Sequence, residues 1–259
     1  MSKQNKELST AMKRLTWIAL VFLAIALIIS MVAKKEAAII QKVNIEVEPL
    51  EGGNFLINKE DVLLTIERSF GFPLETMPLG AIDVERLEKV LKEEPFVLKA
   101  NAFVNAENIV KISIVQRQPV LRIIDRNGAN YYLDEKAFKM PLSKHFSARV
   151  LVATGNIPPY VLDYKGNVQD MLHHLFELAQ TIRGDDFLQP LVEQIYVNNK
   201  GELTLVPKVG RQKILFGRYS SVEDKLKRLK IFYTEALPYE GWRKYRTIDL
   251  NFQGQIVAK

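Results

Sequence analysis

Residues 15–33, LTWIALVFLAIALIISMVA, carry no charge over 19 positions, and this run constrains the chain more than any other feature. A helix needs about 20 apolar residues to cross roughly 30 Å of hydrocarbon. The run therefore predicts one membrane span. A cleaved signal peptide would have an apolar stretch of ~7–15 residues followed by an A-x-A-like site. Here Met31-Val32-Ala33 runs directly into Lys34-Lys35. We read an uncleaved anchor rather than a leader or a long helix of a soluble core.

The flanking cations orient it. Lys3, Lys6, Lys13 and Arg14 precede the span against Glu7 alone, whereas Lys34, Lys35 and Lys42 follow it among Glu36, Glu46, Glu48 and Glu51. Cation-rich flanks stay on the cytoplasmic side. Residues 1–14 are thus read as a cytoplasmic tail and everything from Lys34 onward as extracytoplasmic. Of the formal net charge of +6, the tail supplies four cations less Glu7, which leaves +3 spread over the remainder. Charge so diluted is a solvated surface, not the basic stripe of a nucleic-acid binder. The chain has no cysteine, which removes disulfides, thiol catalysis and thiolate metal sites.

Beyond the anchor, patterns follow in the order strand, helix, helix, strand, strand. Val43, Ile45 and Val47 alternate with polar residues. Asn58, with Asp61 three residues on, marks a helix start; Val62, Leu63, Ile66 and Phe70 share its face before Gly71. Asp83 opens a second helix, with Val84, Leu87, Val90 and Leu91 on one side and Pro95 at its end. Alternation resumes through Leu98, Ala100 and Ala102, then Val110, Ile112 and Ile114. From Arg117 onward, strand patterns flank Asn127-Gly128 and Asn198-Asn199-Lys200-Gly201, the first a hairpin signal in which both turn positions favour positive φ. Short strands are also read at 150–152 and 213–216, and at Ile248, Leu250 and Phe252. Two helices interrupt this sheet. One follows Asn167, with Val168, Met171, Leu172, Leu175, Leu178 and Ile182 on its apolar face; the other follows Ser220-Ser221, with Glu223 completing a capping box and Lys225, Lys227, Arg228 and Lys230 on its outer side.

No reaction chemistry emerges. His173 and His174 are adjacent, so on a helix they point about 100° apart and do not share an ion; with His145 they read as surface or boundary residues. There is no G-x-S-x-G, S-x-x-K or H-E-x-x-H. Asp185-Asp186 and Glu93-Glu94 sit at a helix start and a helix end, where capping accounts for them. The catalytic, metal and cofactor assignments are therefore all none.

The arrangement resembles the FtsQ/DivIB cell-division family of single-span proteins with a POTRA domain and a C-terminal β-domain. The residues that carry it are Pro95-Phe96-Val97, Arg117-Gln118-Pro119-Val120, the segment IIDRNGANYYLD at 123–134, Phe216-Gly217-Arg218 with the helix after it, and Ile248-Asp249-Leu250-Asn251-Phe252. Phe96, Asn251 and Phe252 stand where the family commonly has Trp, Arg and Tyr. The resemblance implies an α+β chain: cytoplasmic tail 1–14, transmembrane helix 15–33, a β-α-α-β-β POTRA-like domain at 34–116, and a C-terminal β-domain at 117–259 with a mixed, mostly antiparallel sheet and two helices. It also implies a non-enzymatic scaffold of the division complex, in the bacterial cytoplasmic (inner) membrane. Its partners would be FtsB/FtsL-type subunits, bound by strand addition at the C-terminal sheet edge, with no nucleic acid or small-molecule substrate. By match to the family pattern Arg218 is an ionic or hydrogen-bonding contact and Phe252 an apolar one. Lys244, Tyr245, Arg246 and Gly254 are their neighbours on the presumed edge, and Phe252 has core packing beside Ile248 and Leu250 as its rival reading. Competing assignments are another membrane-anchored envelope protein with a POTRA domain, in transport or assembly, and an envelope enzyme.

Overall fold

The computed structural model describes residues 3–162, 166–167, 169–242 and 244–259, with side chains from Leu15 onward. The chain forms two units, one of Met1–Glu48 with Asn58–Val115 and the other of Pro49–Ile57 with Gln116–Lys259.

In the first unit, helix α1 (Lys3–Glu36) contains the stretch Leu15–Glu36, which is long and apolar enough to cross a membrane and buries none of its residues in protein. A core helix would hide one stripe. The three-stranded sheet that follows comprises β1 (Lys42–Glu48), β2 (Val97–Val104) and β3 (Ile109–Gln116), in the order β1-β3-β2, with β1 parallel to β3. Helix α2 (Lys59–Phe70) opens with a full capping box between Asn58 and Asp61 and stops at Gly71, whose φ of 84° only glycine takes without strain. Helix α3 (Val84–Glu93) is capped by the Asp83 side chain. Their apolar faces, Val62 and Ile66 from α2, Leu87 and Leu91 from α3, are buried together with Ala100, Val110, Ile112 and Ile114 of the strands. Each large apolar side chain so removed from water contributes roughly 1.5–3 kcal/mol against chain entropy. At the start of β2 it is Val97, not Leu98, that is fully buried, because a turn closed by the Val97 N–H on the Glu94 carbonyl sets the entry of the strand.

The second unit is built on a nine-stranded sheet. Its strands are β4 (Pro119–Ile124), β5 (Asn130–Asp134), β6 (Lys139–Met140), β7 (Leu151–Gly155), β8 (Val192–Val197), β9 (Leu203–Pro207), β10 (Lys213–Gly217), β11 (Thr247–Asp249) and β12 (Val257–Ala258). They lie in the order β12-β11-β10-β9-β8-β7-β4-β5-β6. The pairs β4–β7, β7–β8 and β10–β11 are parallel and the remainder antiparallel. Helix α4 (Met171–Arg183), the short α5 (Leu188–Leu191) and α6 (Val222–Ile231) share one core with the sheet. A π-turn (Phe232–Ala236) and the short α7 (Leu237–Glu240) extend α6. Residues 49–57 belong to this unit; the Leu56 and Ile57 amides donate to Gln116 Oε1 at 2.6 and 3.2 Å.

Several local expectations change. At Asn127-Gly128 only Gly128 has positive φ, 82°, because Asp125 Oδ1 accepts from the Asn127 and Ala129 amides and closes an Asx turn instead of a two-residue mirror-image turn. Helix α4 starts at Met171 under an Asp170 cap rather than directly after Asn167, and Val168 lies outside the described residues. The capping box at Ser221 does not form: Ser221 is left-handed at φ 50°, and a side-chain cap needs an extended residue there. The π-turn inserts one residue into the helical rhythm, and Leu237 is the residue after it that reaches the core. Finally, Lys225 is buried and Arg228 nearly so, although both were expected on the wet side of the helix. Two other segments cover that side.

Candidate functional site

The end of the sheet is assembled from three pieces of chain. The first is the exit from β10, where Gly217 has φ +75° and any Cβ would collide with the Asn251 side-chain amide. The positive φ favours glycine, and a side chain there would also have to displace the Asn251 amide. Arg218 follows, exposed, and its guanidinium makes no hydrogen bond or ion pair among the described residues. It lines a cleft of about 410 Å³ with Lys225, Arg228, Asp224, Asn251 and Gln253.

The second piece is β11, which is shorter than the alternation implied. It spans only Thr247–Asp249, and Asp249 Oδ1 then accepts from the Asn251 amide at 2.9 Å and from Asn251 Nδ2 at 2.7 Å. That Asx turn ends the strand, so the period-two reading fails after Leu250. Ile248 and Leu250 are buried completely, whereas Phe252 is 47% exposed. The core rival for Phe252 is thereby removed.

The third piece is the tail. The outer side of β11 was expected to be an open edge across 245–254, and it is closed by the chain itself. Strand β12 pairs antiparallel with β11, Ala258 opposite Ile248 and Val257 opposite Asp249. The Lys259 amide donates to the Thr247 carbonyl at 3.0 Å and the Thr247 amide to the Lys259 carbonyl at 2.9 Å. Thr247 and Lys259 are thus a hydrogen-bonded pair, and the alternation of antiparallel ladders turns the Ala258 N–H and C=O away from β11. Among the described residues, β12 ends the sheet.

Of the six residues singled out by sequence, the fold brings Arg218, Phe252 and Gly254 to this end. Gly254, at φ +69°, lines a mostly apolar groove of about 340 Å³ with Ile231, Phe232, Ala236 and Ile256, bordered by Arg228, Glu235 and Gln255. Lys244 and Tyr245 turn elsewhere. Both bond to the Glu240 carboxylate at the end of α7, and Tyr245 packs on Phe232 with ring centroids 5.9 Å apart. That pairing holds Glu240 below the usual carboxylate range through its hydrogen bond to Lys244. Arg246 takes part through its backbone, accepting from the Lys213 amide at 2.9 Å.

Sequence reasoning missed two residues here. Arg228 Nη2 donates to the Leu250 carbonyl at 3.3 Å, and Nη1 donates to the carbonyls of Phe252, at 3.0 Å, and Gln255. Its Nε donates to Asp224 at 2.9 Å. Lys225 Nζ donates to the Arg218 carbonyl at 2.8 Å and lies over the Phe216 ring. Burial, with Arg228 adding repulsion, pushes the Lys225 amine below its ordinary range. A charged helical residue reads as solvent-facing when the segment that covers it comes from elsewhere in the chain.

The remaining motif residues serve the scaffold. Asp134 is buried, accepts from the Lys136 and Phe138 amides, and pairs with Arg117 Nη1 at 2.8 Å. A larger cavity of about 1020 Å³ lies away from this edge and mixes Arg122, Arg149, Arg183 and Lys208 with Glu51 and Glu193. His174 stacks on Tyr219 with centroids 4.4 Å apart. Among the described residues no cluster of His, Asp or Glu is placed to hold a metal.

A family model described as FtsQ/DivIB, C-terminal related, matches residues 118–259, and one described as a POTRA-like domain matches residues 38–115. No curated protein matches the chain.

Proposed function

Because the chain belongs to the FtsQ/DivIB family and carries a POTRA-like domain, we propose that this division-associated protein is a non-enzymatic scaffold of the division complex that binds FtsB/FtsL-type subunits at the β12 edge. It is held in the cytoplasmic membrane by residues 15–33. Residues 1–14 face the cytoplasm; the POTRA-like domain (34–116) and the β-domain (117–259) lie outside. The observation that carries this reading is the end of the sheet at β12, flanked by exposed Phe252 and Arg218. A strand with unpaired N–H and C=O groups takes an incoming peptide by β-augmentation. The groove beside Gly254 accepts an apolar side chain of that peptide, and the Arg218 cleft accepts an acidic one.

The test is Phe252→Ala in the full chain, assayed for capture of the extracytoplasmic parts of FtsB/FtsL-type subunits and for thermal unfolding. An exposed side chain predicts lost capture with stability changed by under about 0.5 kcal/mol. Undiminished capture, or a loss of about 3–5 kcal/mol as for a buried Phe, would count against it.

A further inference from the structure

Two cations of one helical turn, Lys225 and Arg228, each tie down a different segment of the candidate edge. They are three residues apart, so they share a face of α6. Lys225 holds the carbonyl of Arg218, at the exit of β10. Arg228 holds the carbonyls of Leu250, Phe252 and Gln255, which trace the whole reversal from β11 to β12. The two segments meet at Gly217 and Asn251. We propose that Lys225 and Arg228 are positioning residues, a bracket on α6 that fixes the Arg218 turn and the β12 strand relative to each other. The proposal rests on the partner-binding reading for its purpose but not for its geometry.

The physical case is the shortness of what is held. β11 has three residues and β12 two, and a ladder this small does not hold itself together in water. The core face fully buries Ile248 and Leu250, both on the β11 side, while on the β12 side Ile256 packs against the core only in part. No apolar residue of β12 itself is fully buried; Val257 and Ala258 are half-buried. Beside this partial packing and the short ladder, the tail is ordered by the guanidinium, whose planar fork meets several acceptors in one orientation. Carbonyls of a chain reversal have no ladder partners, and Arg228 supplies donors for three of them. Lys225 does the same for the residue beside the Gly217 turn, and it is kept in place although its burial disfavours the charged form. A buried ammonium held in that way orients its acceptor.

The test uses the full chain in nanodiscs, with amide hydrogen exchange as the readout, because exchange reports local opening separately from global unfolding. Arg228→Gln is expected to speed exchange at 246–259 about tenfold or more, while 192–207 in β8 and β9 stays protected and the melting temperature holds. Lys225→Met, of similar volume, is expected to speed exchange at 217–221 and leave 246–259 protected. Capture of FtsB/FtsL-type segments should weaken in both. Arg228→Lys, a point charge without the fork, should not restore protection. Unchanged exchange at 246–259 in Arg228→Gln overturns the bracket, whatever happens to capture. Lost capture with unchanged exchange also overturns it, since Arg228 would then be a contact. Faster exchange with undiminished capture upholds the bracket and counts against the edge as the docking site.

Discussion

Two chain reversals in the same sheet are held in opposite ways. Between β8 and β9 the strands have six and five residues, Ile195, Val197, Leu203 and Leu205 are buried, and Asn198 Oδ1 closes the turn on the Lys200 and Glu202 amides. That hairpin closes on its own turn and sits inside the sheet, with β7 and β10 on its flanks and the core beneath. Between β11 and β12 the ladder is a few residues long, and the carbonyls of the reversal are held by Arg228, 22 to 27 residues away in sequence. A reversal stabilised from outside can be loosened without unfolding the domain. Low local stability is where binding surfaces are commonly found.

Breaking the self-contained hairpin should give the largest effect. Ile195→Ala removes a fully buried side chain from the centre of the sheet and is expected to cost about 2–5 kcal/mol in urea unfolding. The whole β-domain would move with it. Asn198→Ala, which takes away a turn acceptor shared by two amides, should cost about 1 kcal/mol by the same measurement.

Acid acts on a third contact, made by the helix that carries Arg228, and should largely spare the reversal. Lys230 Nζ bonds Asp185 at 2.7 Å, and this bond, followed by the Leu188 and Phe187 amides, holds the Asp185 carboxyl below its ordinary range. A depressed carboxyl contributes stability above its unfolded pKa, near 4, and loses it as pH falls through the folded value. With Lys230 43% exposed, the contribution is under about 1 kcal/mol. The melting temperature should therefore fall between about pH 5 and pH 2, with a shallower slope in Asp185→Asn. Exchange protection at 246–259 should respond less, because three of the four acceptors of Arg228 are neutral carbonyls.

What could be read from sequence divides along the same line. The span, the caps at Asn58 and Asp83, and the period-two strands of the POTRA-like unit depend on neighbours in the chain, and their residues announced them. The β11–β12 edge does not. Ile248 and Leu250 were legible as core, but the end of β11 depends on Asp249 bonding to Asn251, and the covering of its edge depends on a tail with two ladder residues. Lys225 and Arg228 looked like solvated charge because the carbonyls they hold come from distant segments. Lys244 and Tyr245 were placed on the edge by proximity in sequence, whereas a contact with Glu240 turns them toward α7.

The central claim is that the outer side of β12 is the docking edge, and Ala258→Pro tests it most directly. Ala258 directs its N–H away from β11, and proline is tolerated on an edge strand where that N–H faces out. The substitution therefore deletes an outward donor and places a ring on the edge while leaving the β11 pairing intact. Affinity of the full chain in nanodiscs for the extracytoplasmic segments of FtsB/FtsL-type subunits should fall by about tenfold or more, some 1.4 kcal/mol, with the melting temperature unchanged. Wild-type affinity in Ala258→Pro would contradict strand addition at this edge.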